Sequence, residues 1–189
     1  MSVGRVGLMD ARVARLEKRF PAWVFADITC TLRGGQWIAA TLLCCCAIDY
    51  LGRMYSGDAG HSMNKRKYKT FLKRYFGGAY NPEAFYAFVR CGLTHGYNMG
   101  GQYIVVGSNA DWSRSLHMRY DPRHQATIIN PHVLYGDLRE AFGRFIADLR
   151  ASAAVRSKLA AVWKATPFDR PQLSSDLNKF KHLLPQGLG

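Results

Sequence analysis

The sequence predicts a mainly α fold of the α+β kind: a helical bundle with a small three-stranded antiparallel β insertion before its last long helix. Three observations lead there. Apolar residues recur at helical spacing along most of the chain. Gln36 to Tyr55 is apolar nearly all round, as the central helix of a bundle has to be. Only residues 102–130 change to short β-branched or aromatic runs separated by turn residues. At 189 residues and 48% hydrophobic content the chain suits one domain with its own core. That domain is expected at 1–166, with a loosely packed tail at 167–189.

Taken in order, Leu8 to Phe20 sets Leu8, Val13, Leu16 and Phe20 among charges, an amphipathic helix that Pro21 is expected to stop. Residues 22–33 carry no decisive pattern. On the central helix Asp49 and Arg53 stand four apart, a favourable ion-pair spacing. Asn64 to Phe76 (NKRKYKTFLKRYF) lines Tyr68, Phe71, Leu72, Tyr75 and Phe76 along one stripe. Lys65, Arg66, Lys67, Lys69, Lys73 and Arg74 fill the remainder, and Gly77 and Gly78 end the helix. Asn81-Pro82 opens another helix with a cap and a first-turn proline. Its apolar face is expected to hold Phe85, Phe88, Val89 and Leu93, and Gly92, Gly96, Gly100 and Gly101 announce its end. QYIVV, WSRSLHMRY and QATII then read as the three strands of a meander. Asn130-Pro131 repeats the cap-and-proline opening. The long helix that follows carries Leu134, Leu138, Ala141, Phe142, Phe145 and Leu149, and either continues or breaks and restarts before Trp163.

The formal charge of +13 and pI near 9.8 are the strongest global signal. A field of that sign draws phosphate polymers, whose counterions are released on contact, and anionic membrane surfaces respond to it as well. The interleaved basic helix 64–76 is the expected contact for a nucleic-acid backbone, against the alternative of a solvated basic face. Cys44, Cys45 and Cys46 point in different directions on a helix and no CxxC pair occurs, so no disulfide framework is expected. The longest uncharged apolar segment, Gln36 to Ile48, falls short of the roughly 20 residues that span a bilayer. The charged N-terminal stretch does not suit a signal peptide. A cytoplasmic protein without a membrane partner, a metal or another cofactor is the expectation. GxSxG, GxxxxGK[ST], GxGxxG and HExxH are all absent.

Chemistry concentrates in FVRCGLTHGYNMGG, residues 88–101, where Arg90 is followed by His95. Arg119 and His124 repeat the spacing, but in a predicted strand and turn. Two cations at a helix C-terminus also need no chemistry, since the helix dipole favours them there. On a straight helix five residues turn about 500°, leaving the two side chains some 140° apart. Both reach one site only if the helix unwinds around Gly92 to Thr94, or if a second copy completes it.

The phrase VRCGLTHGY resembles the R-[N/D/H]-G-L-x-H-x-[Y/F] form of the HEPN superfamily, helical bundles of which many are metal-independent ribonucleases. The resemblance spans roughly residues 36–160. It implies Arg90 and His95 as catalytic residues, RNA as substrate and 2′,3′-cyclic phosphate products. It further implies a homodimer and a setting as a toxin or defence nuclease, with an antitoxin or nucleotidyltransferase partner. Asp49 either orients Arg90 or pairs locally with Arg53, and Thr94, Tyr97 and Asn98 are candidate supporting residues. Cys91 departs from the polar residue that usually follows the arginine in members that cleave RNA. The alternative is therefore a non-catalytic nucleic-acid- or nucleotide-binding module or dimeric scaffold, and a third reading is an adaptor for an acidic protein.

Overall fold

In the computed structural model, which describes residues 3–60 and 63–165, the chain runs helix into helix before any strand appears. Helix α1 (Val3–Phe20) does not stop at Pro21. It passes through a π-helical turn, Pro21–Phe25, into α2 (Ala26–Arg33). Proline lacks the N–H that an ordinary helical turn requires and crowds the carbonyl one turn back. Widening the turn absorbs both defects where a break was expected. Tyr135 donates its hydroxyl proton to the Phe25 carbonyl there, at 3.3 Å.

Helix α3 (Trp37–Ser56) is the axis of the bundle, packed by α2, α4 (Asn64–Tyr75), α8 (Pro131–Ala151) and α9 (Ala153–Ala165). It buries Ala40, Cys44, Cys45, Ile48, Leu51 and Met54. Among the described residues it is the one helix long and apolar enough to cross a membrane, and half of that stretch is buried inside the fold. Helix α4 contributes Tyr68, Phe71, Leu72 and Tyr75 to the core, the stripe read from its sequence. The two helices approach so closely at Gly52 that a Cβ there would lie 2.9 Å from the Lys67 carbonyl oxygen. Only glycine fits that contact.

Residues 82–96 form one helix in three parts: α5 (Pro82–Ala84), a π-helical stretch Phe85–Cys91, and α6 (Gly92–Gly96). Asn81 caps it, accepting from the Glu83 and Ala84 N–H groups. Phe85, Val89 and Leu93 are buried as their spacing requires, but Phe88 is 38% exposed. The widened turn explains the difference, because it changes the angular step between neighbouring side chains and rolls Phe88 out of the core.

The β insertion differs most from expectation. β1 (Tyr103–Val105) pairs in parallel with β3 (Ala126–Ile129), and β2 (Tyr120–Asp121) pairs antiparallel with it, giving the order β1-β3-β2. The sheet is therefore mixed, not purely antiparallel. WSRSLHMRY is mostly not strand: α7 (Asp111–Arg114) and a turn occupy it, so the chain crosses over between β1 and β2 rather than folding back as a hairpin. Asn130 then caps α8 and is fully buried. Its Oδ1 accepts from the His132 and Val133 N–H groups, while Nδ2 donates to the Ser108 carbonyl and Ser113 Oγ at 2.8 and 2.7 Å. The last long helix breaks at Ser152, whose backbone is extended, and restarts as α9. The tail expected at 167–189 lies outside the described residues.

Candidate functional site

Asp49 and Arg90 meet in the groove between α3 and the helix 82–96. Arg90 Nε donates to Asp49 Oδ2 at 2.7 Å, and both side chains are largely shielded, 18% and 22% exposed. The guanidinium lies over the Tyr86 ring, 5.5 Å from its centre, with Nη1 3.8 Å from Cys91 Sγ. Burial lifts the Asp49 carboxyl above the usual carboxylate range, while the Arg90 hydrogen bond and charge, and more weakly Arg53, pull it back. Burial also works against the charge on Arg90, yet the Asp49 bond and charge hold its proton more firmly than in a free arginine. An arginine does not deprotonate in a protein, so this is a charged pair. Asp49 thus engages Arg90 across the helix interface, with Arg53 a lesser influence along its own helix.

The rest of the motif is arranged around a helix end. Thr94 donates its hydroxyl proton to the Arg90 carbonyl at 2.6 Å, which occupies it within the helix. The helix does not unwind at Gly92 to Thr94, as joint access from one chain required. Its π-helical stretch ends at Cys91 and ordinary helix continues to Gly96. The terminus follows at Tyr97, in the left-handed conformation (φ 51°), with the Asn98 N–H returning to the Gly92 carbonyl at 3.1 Å. A Cβ on Gly92 would sit 2.2 Å from the Asn98 carbonyl oxygen, so this return requires glycine. Asn98 uses its side-chain oxygen to accept from the Gly100 N–H. His95 is exposed without a hydrogen-bond partner among the described residues, and Tyr97 is 63% exposed. No hydrogen bond joins Arg90 to His95: the first turns inward to α3 and the second faces outward.

The basic helix α4 is less free than its sequence suggests. Lys67 is 5% exposed, with Nζ 2.7 Å from both Asp58 Oδ2 and the Gly60 carbonyl. It belongs to the fold and not to an exposed cationic face, because its ammonium is turned onto Asp58 and Gly60 in the segment that follows α3. Lys65 and Lys69 both pair with Glu83, and Arg74 with Asp148 at 3.2 Å. Arg66 and Lys73 are exposed and have no partner among the described residues.

A second polar cluster was not read from the sequence. Tyr80 donates to Asp137 Oδ2 at 2.5 Å and lies 2.7 Å from His117 Nε2, while His117 Nδ1 accepts from the Asn130 N–H at 2.9 Å. That last bond places the neutral imidazole's proton on Nε2, so the chain runs His117 to Tyr80 to Asp137. Burial lowers the His117 pKa to about 4 and raises that of Asp137. The three residues are far apart in sequence and share no spacing that could have announced them. They tie the β insertion to α8 and to the α4–α5 connection.

Among the described residues, no three His, Cys, Asp or Glu side chains are grouped to hold a metal ion. All five cysteines are free; burial pushes the Cys45 thiol up to about 12, which keeps it protonated and unreactive. No family model matches the chain, and no curated protein or solved structure matches it at a significant level.

Proposed function

We propose that this chain is an HEPN-like, RNA-acting protein whose Arg90 and His95 cleave a phosphodiester without a metal ion. The observation that carries the reading is the Asp49–Arg90 bond, which fixes the guanidinium through Nε. Of its remaining donors, Nη1 makes one long contact to Cys91 Sγ, and Nη2 has no bond among the described residues. A fork held this way can engage a phosphate whose charge grows in the transition state. His95, exposed at the helix end, takes the proton of an RNA 2′-hydroxyl. The 2′-oxygen then attacks phosphorus, the bond to the 5′-oxygen breaks, and an imidazolium protonates that leaving oxygen. The products carry a 2′,3′-cyclic phosphate and a 5′-hydroxyl, and DNA resists for lack of the nucleophile. Because Arg90 turns inward and His95 outward, the pair acting on one phosphate comes from two copies facing across a two-fold axis.

The same separation favours a second reading, a non-catalytic RNA-binding module, with Cys91 where catalytic members carry a polar side chain. One assay decides between them. Labelled RNA is incubated with the protein in EDTA, alongside His95→Ala and Arg90→Ala. Cleavage that both variants abolish supports the nuclease. Binding without cleavage, unchanged in His95→Ala, supports the module, and no binding at low salt removes both. His95 is exposed and has no hydrogen bond among the described residues, so its loss of activity would not reflect unfolding.

A further inference from the structure

The C-terminal end of α3, the first two turns of α4 and α9 line an open-sided cavity of about 320 Å³ on another part of the molecule. Met63, Arg66, Lys67 and Thr70 form its α4 wall, at the spacing of a single helical stripe. Tyr55, Ser56, Asp58 and, from α9, Lys158 complete it.

Three cations and one carboxylate share this space. The Lys67 ammonium, bonded to Asp58 and the Gly60 carbonyl, makes a neutral and rigid floor. Arg66 has no ion pair or hydrogen bond among the described residues. Lys158 keeps its ammonium 5.2 Å from the centre of the Tyr55 ring, with no carboxylate opposite it among the described residues. Two positive charges therefore remain around the cavity. Helix α4, 12 residues long, adds to them: Met63 stands at its N-cap in a left-handed conformation and caps none of its first amides with a side chain. The positive end of the helix dipole thus lies on the same wall as Arg66. Two cations without a carboxylate partner among the described residues, a hydroxyl at Thr70 and a helix start that the Met63 side chain does not cap suit a doubly charged anion. The volume lies at the small end of ligand cavities, roughly 300–1,000 Å³, enough for a phosphate with a compact organic group.

We infer that this cavity binds a phosphate monoester, with Arg66 and Lys158 as its cationic arms and the Lys67–Asp58 pair as its fixed floor. The ligand is either a free phosphorylated compound or the 5′-phosphate end of an RNA strand; the recognised group is the same. Titration calorimetry on the full chain at low salt tests this with adenosine, adenosine monophosphate, inorganic phosphate, and two short RNAs differing only in a 5′-phosphate or 5′-hydroxyl. Binding of the monophosphate is expected, with adenosine inert, and a loss of tenfold or more in both Arg66→Gln and Lys158→Gln. Arg123→Gln, a distant exposed control, is expected to bind as wild type does. A tenfold preference for the phosphorylated RNA that both variants erase assigns the site to RNA ends; a preference for the free compounds assigns it to small molecules. The inference is overturned if no phosphate compound outbinds its hydroxyl counterpart, or if Arg123→Gln weakens binding equally. Both altered side chains are exposed, and a melting curve for each variant separates lost binding from lost folding. Binding is read directly, so the result stands whether or not Arg90 and His95 cleave RNA.

Discussion

Asp49 meets Arg90 where both are largely shielded from water, so each depends on the other for compensation. Replacing Asp49 by Ala leaves a half-buried guanidinium without its acceptor and is expected to cost about 2 kcal/mol of stability, read as a lower urea midpoint at unchanged slope. Removing Arg90 in the same chain should recover part of that loss, since no uncompensated charge then remains. The partners were readable as candidates: an isolated acid on an apolar helix and an arginine closing an apolar run. Their pairing was not, because Arg53 offered Asp49 a local alternative and one sequence cannot rank a contact across 41 positions against one across four. Lys67 shows the opposite failure. Its neighbours Lys65 and Arg66 are exposed cations, and its own ammonium is turned onto Asp58 and Gly60, partners that the helical pattern of α4 says nothing about.

The helices were readable wherever apolar residues repeat in step and caps mark the ends. The stripe of α4 and that of α8 fell where spacing put them. Asn130 was readable too, but only as a cap; its bonds to Ser108 and Ser113 join it to a loop that a capping pattern says nothing about. Asn130→Ala therefore removes both the cap and buried bonds to the insertion. It is expected to cost about 2 kcal/mol or more, measured by thermal denaturation, at or above the top of the ordinary range for a lost cap. The two wide turns and the parallel pairing of β1 escaped the sequence because each is a compromise with packing: Pro21 could be absorbed or could break the helix, and three short runs could order themselves in several ways.

For the molecule as a whole, the buried imidazole of His117 sets a dependence on acidity. Its pKa is near 4 in the fold and about 6.5 when unfolded, so between these values the unfolded chain binds the extra proton. The stability is fully present above pH 6.5 and is lost as pH falls toward 4, by about 3 kcal/mol at most. Asp137, whose carboxyl burial raises, opposes this over the lower part of the range, and His132, also lowered by burial, adds to it. A melting series from pH 7 to 4 is expected to fall, and His117→Gln to flatten the fall while starting lower. The charge of +13 was plain from composition, but its distribution was not. On α4, Lys65, Lys69 and Arg74 answer carboxylates brought in from other segments, which no count of lysines and arginines can register.

The wide stretch at Phe85–Cys91 holds more backbone per turn than a regular helix. Deleting one residue there would remove that surplus and restore regular winding while leaving everything beyond it close to its present phase, because seven residues at the smaller step turn through roughly what six turn at 100° each. Length in this segment is thus less constrained than in a regular helix: a one-codon deletion that would turn α3 or α8 off its packing by about 100° is absorbed here.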